Sequence, residues 1–344
     1  MAMRISVYVT SYNQKAYLIE AIESVLGQIL RPHQVIIVDD ASGDGSQEII
    51  AGYASRYANW ITPIYHTQNM GVVHSRNDAL HAVTGDYVTY VDGDDRFLPR
   101  KLETEAIRMQ SVSGVHLVYS NYYTIDEKGQ RLGTWASTNL PEGDIFSQVF
   151  GRQYPKKRLF RSELVHYPSW QQIGFYDPRL SVFEDYDMRI RLTDKLRTAY
   201  ADEPLSEYRL LNTGLSKLNG QVYLDAFEYI RQKNIALLTR LPEEQQGKID
   251  RELDQWKAAL LRRIGRQFIK GNQEQLTDRS QALQYYQKSL KYHRKVDFLF
   301  WLEFLFGSKG YEWIKRFYQK FIGSGSPSNP KDNQVIHDDN QSAW

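Results

Sequence analysis

The stretch Tyr87–Pro99, YVTYVDGDDRFLP, places a cluster of acidic side chains at the end of an apolar segment. Residues 87–91 are apolar, aromatic or β-branched, which is typical of a buried strand in a parallel sheet. Asp92, Asp94 and Asp95 follow within four positions. Because open α/β sheets bind their ligands at the carboxyl ends of such strands, we predict a ligand site at these aspartates.

Two interpretations fit the three aspartates taken alone. Crowded carboxylates repel one another, and oxygen ligands favour a hard divalent cation such as Mg²⁺ or Mn²⁺, which takes its remaining ligands from water and substrate phosphates. Aspartates are also common turn formers and helix caps, and Asp95 is placed to cap a helix that begins near Pro99. The choice between a metal site and a structural turn depends on the rest of the chain.

The chain has 344 residues, of which 42% are hydrophobic and 24% are charged, as expected for a soluble globular protein. A single core rarely grows beyond ~250–300 residues, so we expect two structural units. Lysine and arginine number 43 against 41 aspartates and glutamates, which gives no overall field toward nucleic acid. Nucleic acid is therefore not an expected partner.

The sequence contains no cysteine, which excludes disulfides and thiolate chemistry and favours a reducing compartment. The first residues lack the basic and apolar regions of a signal peptide. No apolar run reaches the ~20 residues that a membrane-spanning helix needs. We therefore expect a cytoplasmic protein.

Three further strands are predicted before the acidic stretch, at Arg4–Thr10, Gln34–Asp39 and Ile61–His66, and each is followed by a helical pattern. This alternation predicts an α/β fold with a Rossmann-like, mostly parallel sheet flanked by helices. Polar residues follow the strand ends at Thr10–Tyr12, at Asp39 and Asp40, and at Asp92–Asp95. We expect them to meet in one crevice.

The crevice lacks the usual loops that hold phosphates. Neither the GxGxxG turn of dinucleotide-binding proteins nor a Walker phosphate loop is present in the sequence. A cation at Asp94 and a nearby arginine are then needed to balance the charge of a phosphate ligand. Arg76, in the helical segment before the acidic strand, is placed for this.

Three runs together resemble the nucleotide-binding half of the family 2 glycosyltransferases, which have the GT-A fold: VYVTSYNQKAYLIEAIESVLGQ, VIIVDDASGDGS and NMGVVHSRNDALHAVTGDYVTYVDGDD. The resemblance extends over about Met3–Leu211. It implies that Thr10 and Tyr12 line the nucleobase pocket and that Asp40 accepts the imide N–H of the base. Gly43 stands where the family usually carries a threonine, at a position that has no known chemical role.

The same resemblance implies roles around the diphosphate. Arg76 is expected near the diphosphate, and Asp92 and Asp94 resemble the DxD pair of the family. Asp94 is expected to hold Mn²⁺ or Mg²⁺, while Asp92 faces the ribose or a metal-bound water. In this context the metal interpretation of the acidic stretch is favoured.

The segment Phe183–Asp187, FEDYD, resembles the acceptor-side signature of the family, in which an ED pair opens a helix. Transfer of a sugar to a hydroxyl needs a base for the hydroxyl proton, while the cation neutralises the departing diphosphate. We predict Asp185 as that base, in a single displacement that inverts the anomeric carbon. Arg189 and Arg191 either hold phosphate or pair with carboxylates of the same helix.

The segments between these two signatures give coarser expectations. A strand is predicted at Val115–Asn121, followed by a polar, hairpin-like segment at Thr124–Trp135. The basic run Gln153–Arg161 is predicted to be a solvated face rather than a phosphate or acceptor contact.

We divide the chain into a GT-A domain at 1–211, with a nucleotide-binding half at 1–100 and an acceptor half at 101–211, a helical region at 212–322 and a disordered tail at 323–344. Residues 298–322 are aromatic and basic. They either pack as core, the favoured interpretation, or lie on a membrane surface.

Taken together, these features predict a metal-dependent glycosyltransferase that moves one sugar from a nucleotide-diphosphate sugar to an acceptor hydroxyl. We expect a UDP-sugar donor and a glycan or lipid-linked acceptor in polysaccharide biosynthesis. The QxxRW motif of processive polymerases is absent, which favours single-sugar addition. Two alternatives are a nucleotide-sugar pyrophosphorylase and a non-catalytic scaffold with a relict GT-A domain.

Overall fold

The computed structural model describes residues 3–136, 140–155, 158–211, 220–270, 279–293, 300 and 304. The chain divides into two compact units, Met1–Gly214 and Leu215–Trp344. The first contains a single mixed sheet flanked by helices, and the second is helical throughout its described residues. This is the predicted GT-A architecture with a helical C-terminal region.

Four parallel strands form the first half of the sheet, in the order β3-β2-β1-β4. They are β1 (Ile5–Ser11), β2 (Gln34–Asp39), β3 (Ile61–Tyr65) and β4 (Tyr87–Asp92), connected by the helices α1 (Lys15–Leu26), α2 (Ser46–Arg56) and α3 (Val72–His81). All seven residues of β1 are buried, as expected for a strand covered on both faces. Helix α1 buries Leu18, Ala21, Ile22 and Val25 at the predicted three-four spacing.

The second half of the sheet is mixed. β8 (Leu164–His166) pairs antiparallel with both β4 and β6 (Val115–Ile125), and β6 pairs parallel with β9 (Arg197–Arg209). The short strands β5 (Arg96–Phe97) and β7 (Arg131–Thr134) pair antiparallel with β9 and β6. The hairpin predicted over 124–135 is confirmed. Sequence analysis missed β5, β8 and β9, because the first two are very short and β9 contains Pro204 and several charges.

Four helices accompany this half: α4 (Lys101–Ser111), α5 (Phe146–Phe150), α6 (Tyr167–Ile173) and α7 (Glu184–Lys195). The alternative that Asp95 caps the helix after Pro99 is wrong. Helix α4 begins without a side-chain cap, and the Asp95 carboxylate accepts a hydrogen bond from the backbone N–H of Arg209 at 2.8 Å instead. That aspartate therefore ties the acidic loop to the last residue of β9.

The C-terminal unit contains the helices α8 (Gly220–Asn234), α9 (Glu243–Lys270) and α10 (Arg279–Tyr292), with a 3₁₀ segment at Ile235–Arg240. Ile269, Ala282, Tyr286 and Phe300 form a small core, against which Phe304 packs. The rest of the predicted segment 298–322, and the predicted tail 323–344, lie outside the described residues. No helix in the described part of the chain combines the length and the apolar character needed to span a bilayer.

Candidate active site

Strand register brings the predicted polar residues together at one edge of the sheet. Thr10 lies opposite Asp92 in the β1–β4 pair, and Ser11 lies opposite Asp39 in the β1–β2 pair. The hydroxyl of Thr10 donates to the Asp92 carboxylate at 3.3 Å. The polar residues predicted to follow the strand ends therefore lie together at the carboxyl ends of the strands.

Two arginines engage both oxygens of Asp92. Arg76 Nη2 lies 2.9 Å from Oδ1, and Arg161 Nη2 lies 2.9 Å from Oδ2. Burial alone would raise the pKa of Asp92, but these two guanidinium groups outweigh it and lower that pKa. Asp92 is thus ionised, with an arginine on each of its oxygens.

Asp94 has a different environment. Its backbone carbonyl accepts a hydrogen bond from Arg209 Nε at 2.8 Å, whereas its carboxylate makes no ion pair or hydrogen bond within the described part of the chain. Burial, followed by repulsion from Asp92, raises the pKa of Asp94 to about 6. A half-buried carboxylate with raised pKa and lone pairs available is suited to a positive ligand.

We tested the fit of a divalent cation against these neighbours. The described residues include no group of three or more acidic, histidine or cysteine side chains arranged around a metal. A site built on Asp94 alone still fits Mg²⁺ or Mn²⁺, since such ions often take one or two carboxylates together with water and substrate phosphates. Asp92 accepts from Arg76 and Thr10 at Oδ1 and from Arg161 at Oδ2, so Oδ2 keeps one acceptor position for a metal-bound water.

Asp40 anchors the loop that leads into α3. Its Oδ1 accepts from the backbone N–H of Met70 at 2.7 Å, and its Oδ2 accepts from that of Gly71 at 2.8 Å. His66 Nδ1 also lies 2.7 Å from Oδ1. A carboxylate has about four acceptor sites, so Oδ2 retains one for a further donor such as a base imide.

His66 joins two carboxylates. Its Nε2 lies 2.9 Å from Asp78 on α3, while its Nδ1 contacts Asp40. Burial acts to lower the pKa of His66, but the hydrogen bonds to Asp40 and Asp78 outweigh burial and raise it. Sequence analysis missed this residue, because a histidine at a strand end carries no motif.

Tyr12 and Thr10 differ in accessibility. Thr10 is buried beside Asp92, whereas the side chain of Tyr12 is 48% exposed. An exposed ring directly after β1 is available for stacking against a planar ligand. The structure thus places Thr10 deeper in the crevice and Tyr12 at its mouth.

Arg76 bridges the two halves of the sheet. Its Nη1 lies 2.8 Å from Glu184 at the start of α7, in addition to its contact with Asp92 at the end of β4. The guanidinium also lies over the rings of Tyr90 and Tyr176. Arg76 therefore lies beside the acidic end of β4, and its charge is shared between two carboxylates.

Asp185 is held by its own helix. Oδ2 lies 2.5 Å from Arg189 Nη1, and Oδ1 accepts from the backbone N–H of Tyr186 at 2.8 Å. Burial would raise the pKa of Asp185, but Arg189, and then Arg76 and Arg161, lower it well below its ordinary value. Asp185 is consequently ionised at neutral pH and 30% exposed, as an accessible proton acceptor requires.

The arginines of α7 pair with carboxylates, as one of the two interpretations predicted. Arg189 contacts Asp185 and Glu163, and Arg191 contacts Asp187 at 3.0 Å. The pKa of Glu184 is raised to about 7 because burial outweighs its contact with Arg76 and Asp185 adds repulsion. The side chain before the helix, Phe183, provides no cap.

Arg161 is the main site residue that sequence analysis assigned incorrectly. The prediction of a solvated face at Gln153–Arg161 is wrong for its last residues, because Arg158 is buried and Arg161 reaches Asp92 and, at 3.4 Å, Asp95. The Arg161 guanidinium lies 4.0 Å from the centre of the Tyr208 ring. The basic run itself was the available signal, because local charge density marks anion sites as well as solvated surfaces.

The sequence and the fold are similar to those of known proteins. A family model described as glycosyl transferase family 2 matches residues 6–167. A glycosyltransferase of Methanocaldococcus jannaschii, uncharacterized by name, is 31% identical over 217 residues, covering 60% of this chain and 71% of the relative. TuaG of Bacillus subtilis, named for teichuronic acid biosynthesis, is 30% identical over 214 residues, covering 62% of this chain and 81% of TuaG.

Similarity to solved structures supports the fold. The crystal structure of S. aureus TarS 1–349 in complex with UDP superposes with a TM-score of 0.60 and 16% identity. The match covers 96% of this chain and 95% of that chain. At this identity the likeness establishes the shared GT-A architecture.

The His66 bridge predicts a pH-dependent stability. Because the pKa of His66 is raised in the folded state, its contribution is fully present below its ordinary pKa of 6.5 and is lost as pH rises through the folded value. The variant His66→Asn should therefore unfold at a lower temperature than the wild type near pH 6, by an amount equivalent to roughly 1–2 kcal/mol. The difference should shrink at pH 9.

Thermal unfolding followed by circular dichroism between pH 5.5 and 9 measures this difference. His74→Asn, on α3 and without an ion pair to a described residue, is the matched control for removal of a histidine that joins no carboxylates. If His66→Asn lowers the unfolding temperature by the same amount at every pH, the proposed contribution of the protonated His66 bridge is contradicted.

Proposed function

The chain belongs to glycosyltransferase family 2, and on that premise we propose that it moves one sugar from a UDP-sugar to an acceptor hydroxyl, with inversion at the anomeric carbon and with a divalent cation as cofactor. The glycosyltransferase activity itself follows from family membership. The observation that carries the finer proposal is the bridge made by Arg76, which joins the donor-side Asp92 to the acceptor-side Glu184, next to Asp185.

Donor and acceptor classes are inferred from chemistry and from relatives. TarS 1–349 has been solved with UDP, and TuaG is named for teichuronic acid biosynthesis. We therefore propose a UDP-sugar donor and a glycan or lipid-linked acceptor in polysaccharide biosynthesis. The remaining acceptor site on Asp40 Oδ2 is suited to a base imide, and the exposed Tyr12 ring is suited to stacking on the base.

The charges of the crevice fit a departing diphosphate. Asp94 is the residue that would hold Mn²⁺ or Mg²⁺, and a cation bound there supplies positive charge to the leaving group. Arg76 and Arg161 lie on either side of Asp92 and add fixed positive charge close by. Arg161, whose side chain is 22% exposed, can orient diphosphate oxygens, while the buried Arg76 contributes positive charge nearby.

Asp185 is proposed as the general base. Its ion pair with Arg189 keeps it ionised, and ionised carboxylate is the form that accepts the acceptor hydroxyl proton. The Tyr186 N–H fixes Oδ1 so that the carboxylate holds one orientation at the start of α7. This preorganisation reduces the reorganisation needed when the acceptor arrives.

The cation proposal predicts the behaviour of Asp94→Asn. The substitution keeps the size of the side chain but removes the charge that would balance the metal, so the gain in UDP affinity caused by Mn²⁺ should fall by roughly tenfold or more. Calorimetric titration of UDP with and without Mn²⁺ measures that gain. Asp86→Asn, an exposed aspartate just before β4, is the control and should bind as the wild type does.

Stability should not limit the Asp94 experiment. Its raised pKa means that the folded state disfavours the ionised carboxylate, so an amide at this position should leave the unfolding temperature unchanged or higher. Full retention of the Mn²⁺-dependent gain in Asp94→Asn would exclude this carboxylate as the metal ligand.

The base proposal predicts that Asp185→Asn lowers turnover by about 10²–10⁴-fold while UDP affinity is retained. Turnover is measured as UDP release at saturating donor, after a screen over nucleotide sugars has identified the substrate. Asp194→Asn, at the other end of α7, is the control and should keep turnover within a few-fold of wild type. Loss of UDP binding with turnover preserved would make Asp185 a donor-binding residue instead.

For a lipid-linked acceptor we extend the proposal to a cytoplasmic enzyme that contacts the membrane through residues 298–322. The sequence of 310–322 places basic residues opposite aromatic and aliphatic ones, which supports this extension. The packing of Phe300 in the core of the C-terminal unit supports the alternative that the segment is structural. We expect the intact protein to sediment with vesicles of anionic lipid at low salt, and its absence from the pellet would exclude the extension.

A further inference from the structure

A lysine and a glutamate are completely buried beneath the active site. Lys101 and Glu105, one turn apart at the start of α4, have side chains with 0% exposure, and Nζ lies 2.5 Å from Oε2. Burying two charges costs several kcal/mol per ion, and a well-packed apolar pair is often as stable. This pair therefore calls for an explanation other than general stability.

The ammonium of Lys101 reaches a backbone carbonyl across the sheet. Nζ donates to the carbonyl oxygen of Ser162 at 2.7 Å. The hydroxyl of Thr89, on β4, donates to the same oxygen at 2.8 Å. Glu105 accepts a further hydrogen bond from Ser120 on β6 at 2.9 Å, which fixes the position of the pair.

Ser162 needs such support because its backbone is in the left-handed region, with φ of 54°. Non-glycine residues pay roughly 1–2 kcal/mol there. Such conformations persist only where the surrounding structure determines them, and they concentrate at functional sites. The hydrogen bonds that Lys101 and Thr89 donate to the Ser162 carbonyl hold this conformation.

The residues on either side of Ser162 both reach into the active site. Arg161 contacts Asp92 at 2.9 Å and Asp95 at 3.4 Å. Glu163 accepts two hydrogen bonds from Arg189, at 3.1 Å each, and Arg189 holds Asp185. The segment 161–163 thus connects the acidic loop after β4 to the candidate base on α7, and the Ser162 carbonyl is its fixed point.

We propose that Lys101 is a positioning residue that, through the Ser162 carbonyl, holds Arg161 against Asp92 and Asp95 and thereby sets the affinity for the donor diphosphate. The inference rests on the proposed function for its ligand, a nucleoside diphosphate. Lys101 itself is buried away from solvent and acts on the ligand only through Arg161.

The test uses a charge-neutral pair of substitutions, Lys101→Met with Glu105→Gln, so that no charge is left buried without a partner. The amide oxygen introduced by Glu105→Gln keeps an acceptor for the Ser120 hydroxyl. The double variant should keep its unfolding temperature yet bind UDP in the presence of Mn²⁺ about tenfold more weakly. Glu105→Gln alone leaves Lys101 without its carboxylate partner, so its unfolding temperature should fall, but it retains the Lys101 contact to Ser162 and, where folded, should bind UDP close to wild type.

A double-mutant cycle with Arg161 separates positioning from general destabilisation. If Lys101 acts through Arg161, adding the two substitutions to Arg161→Met should cause no further loss of UDP affinity. Additive losses would overturn the proposal, as would unchanged affinity in the double variant. Thr89→Val, which removes the other donor to Ser162 and leaves the buried pair intact, should weaken binding in the same direction.

Failure of the proposed function has a different result. If the wild-type protein binds no UDP or other nucleoside diphosphate, the donor role fails for the wild type and all variants alike. A crystal structure of the double variant then tests whether Lys101 holds Arg161 in place. Arg161 retained on Asp92 and Asp95 would overturn it, and Arg161 displaced from them would support it.

Discussion

The buried guanidinium of Arg76 is the contact on which the site depends, because it neutralises carboxylates from both halves of the sheet. Asp92 ends a parallel strand of the first half, and Glu184 begins a helix that accompanies the second half. Neither carboxylate could be buried as an ion without a partner, since removing one member of a buried pair typically costs about 3–5 kcal/mol. The ion pairs of Arg76 therefore link the two halves, in addition to the hydrogen bonds of their common sheet.

The neighbouring arginines also set which carboxylates of the site are ionised. Asp92, with two arginines, and Asp185, beside Arg189, both have a lowered pKa. Asp94 has no described arginine in contact with its carboxylate, and its pKa is raised. Contact with arginine thus separates two carboxylates whose pKa is lowered from one whose raised pKa suits an incoming positive charge.

Much of this could be predicted from the sequence, and the limits have a physical origin. Thr10, Asp40 and Asp92 are predicted together because each lies at the carboxyl end of a strand, and parallel register alone aligns strand ends. Arg161 could not be predicted in the same way, because its place depends on β8, a three-residue strand that antiparallel pairing inserts between β4 and β6. Short segments carry too few residues for a periodic signal. The hydrogen-bond partners of Asp40 could not be predicted either. They are the backbone N–H groups just before α3, and only the folded chain brings them close to this carboxylate.

The late position of β8 has a consequence for biosynthesis. Strands β1 to β4 pair among themselves within the first 92 residues, so a nascent chain can form this part of the sheet while the rest is still being translated. Arg161, Glu184 and Arg209 all belong to segments that are made afterwards. A chain terminated before β8 would therefore expose the acidic end of the sheet without the later arginines that balance its charge. Chaperones would encounter such a chain as an incompletely folded domain.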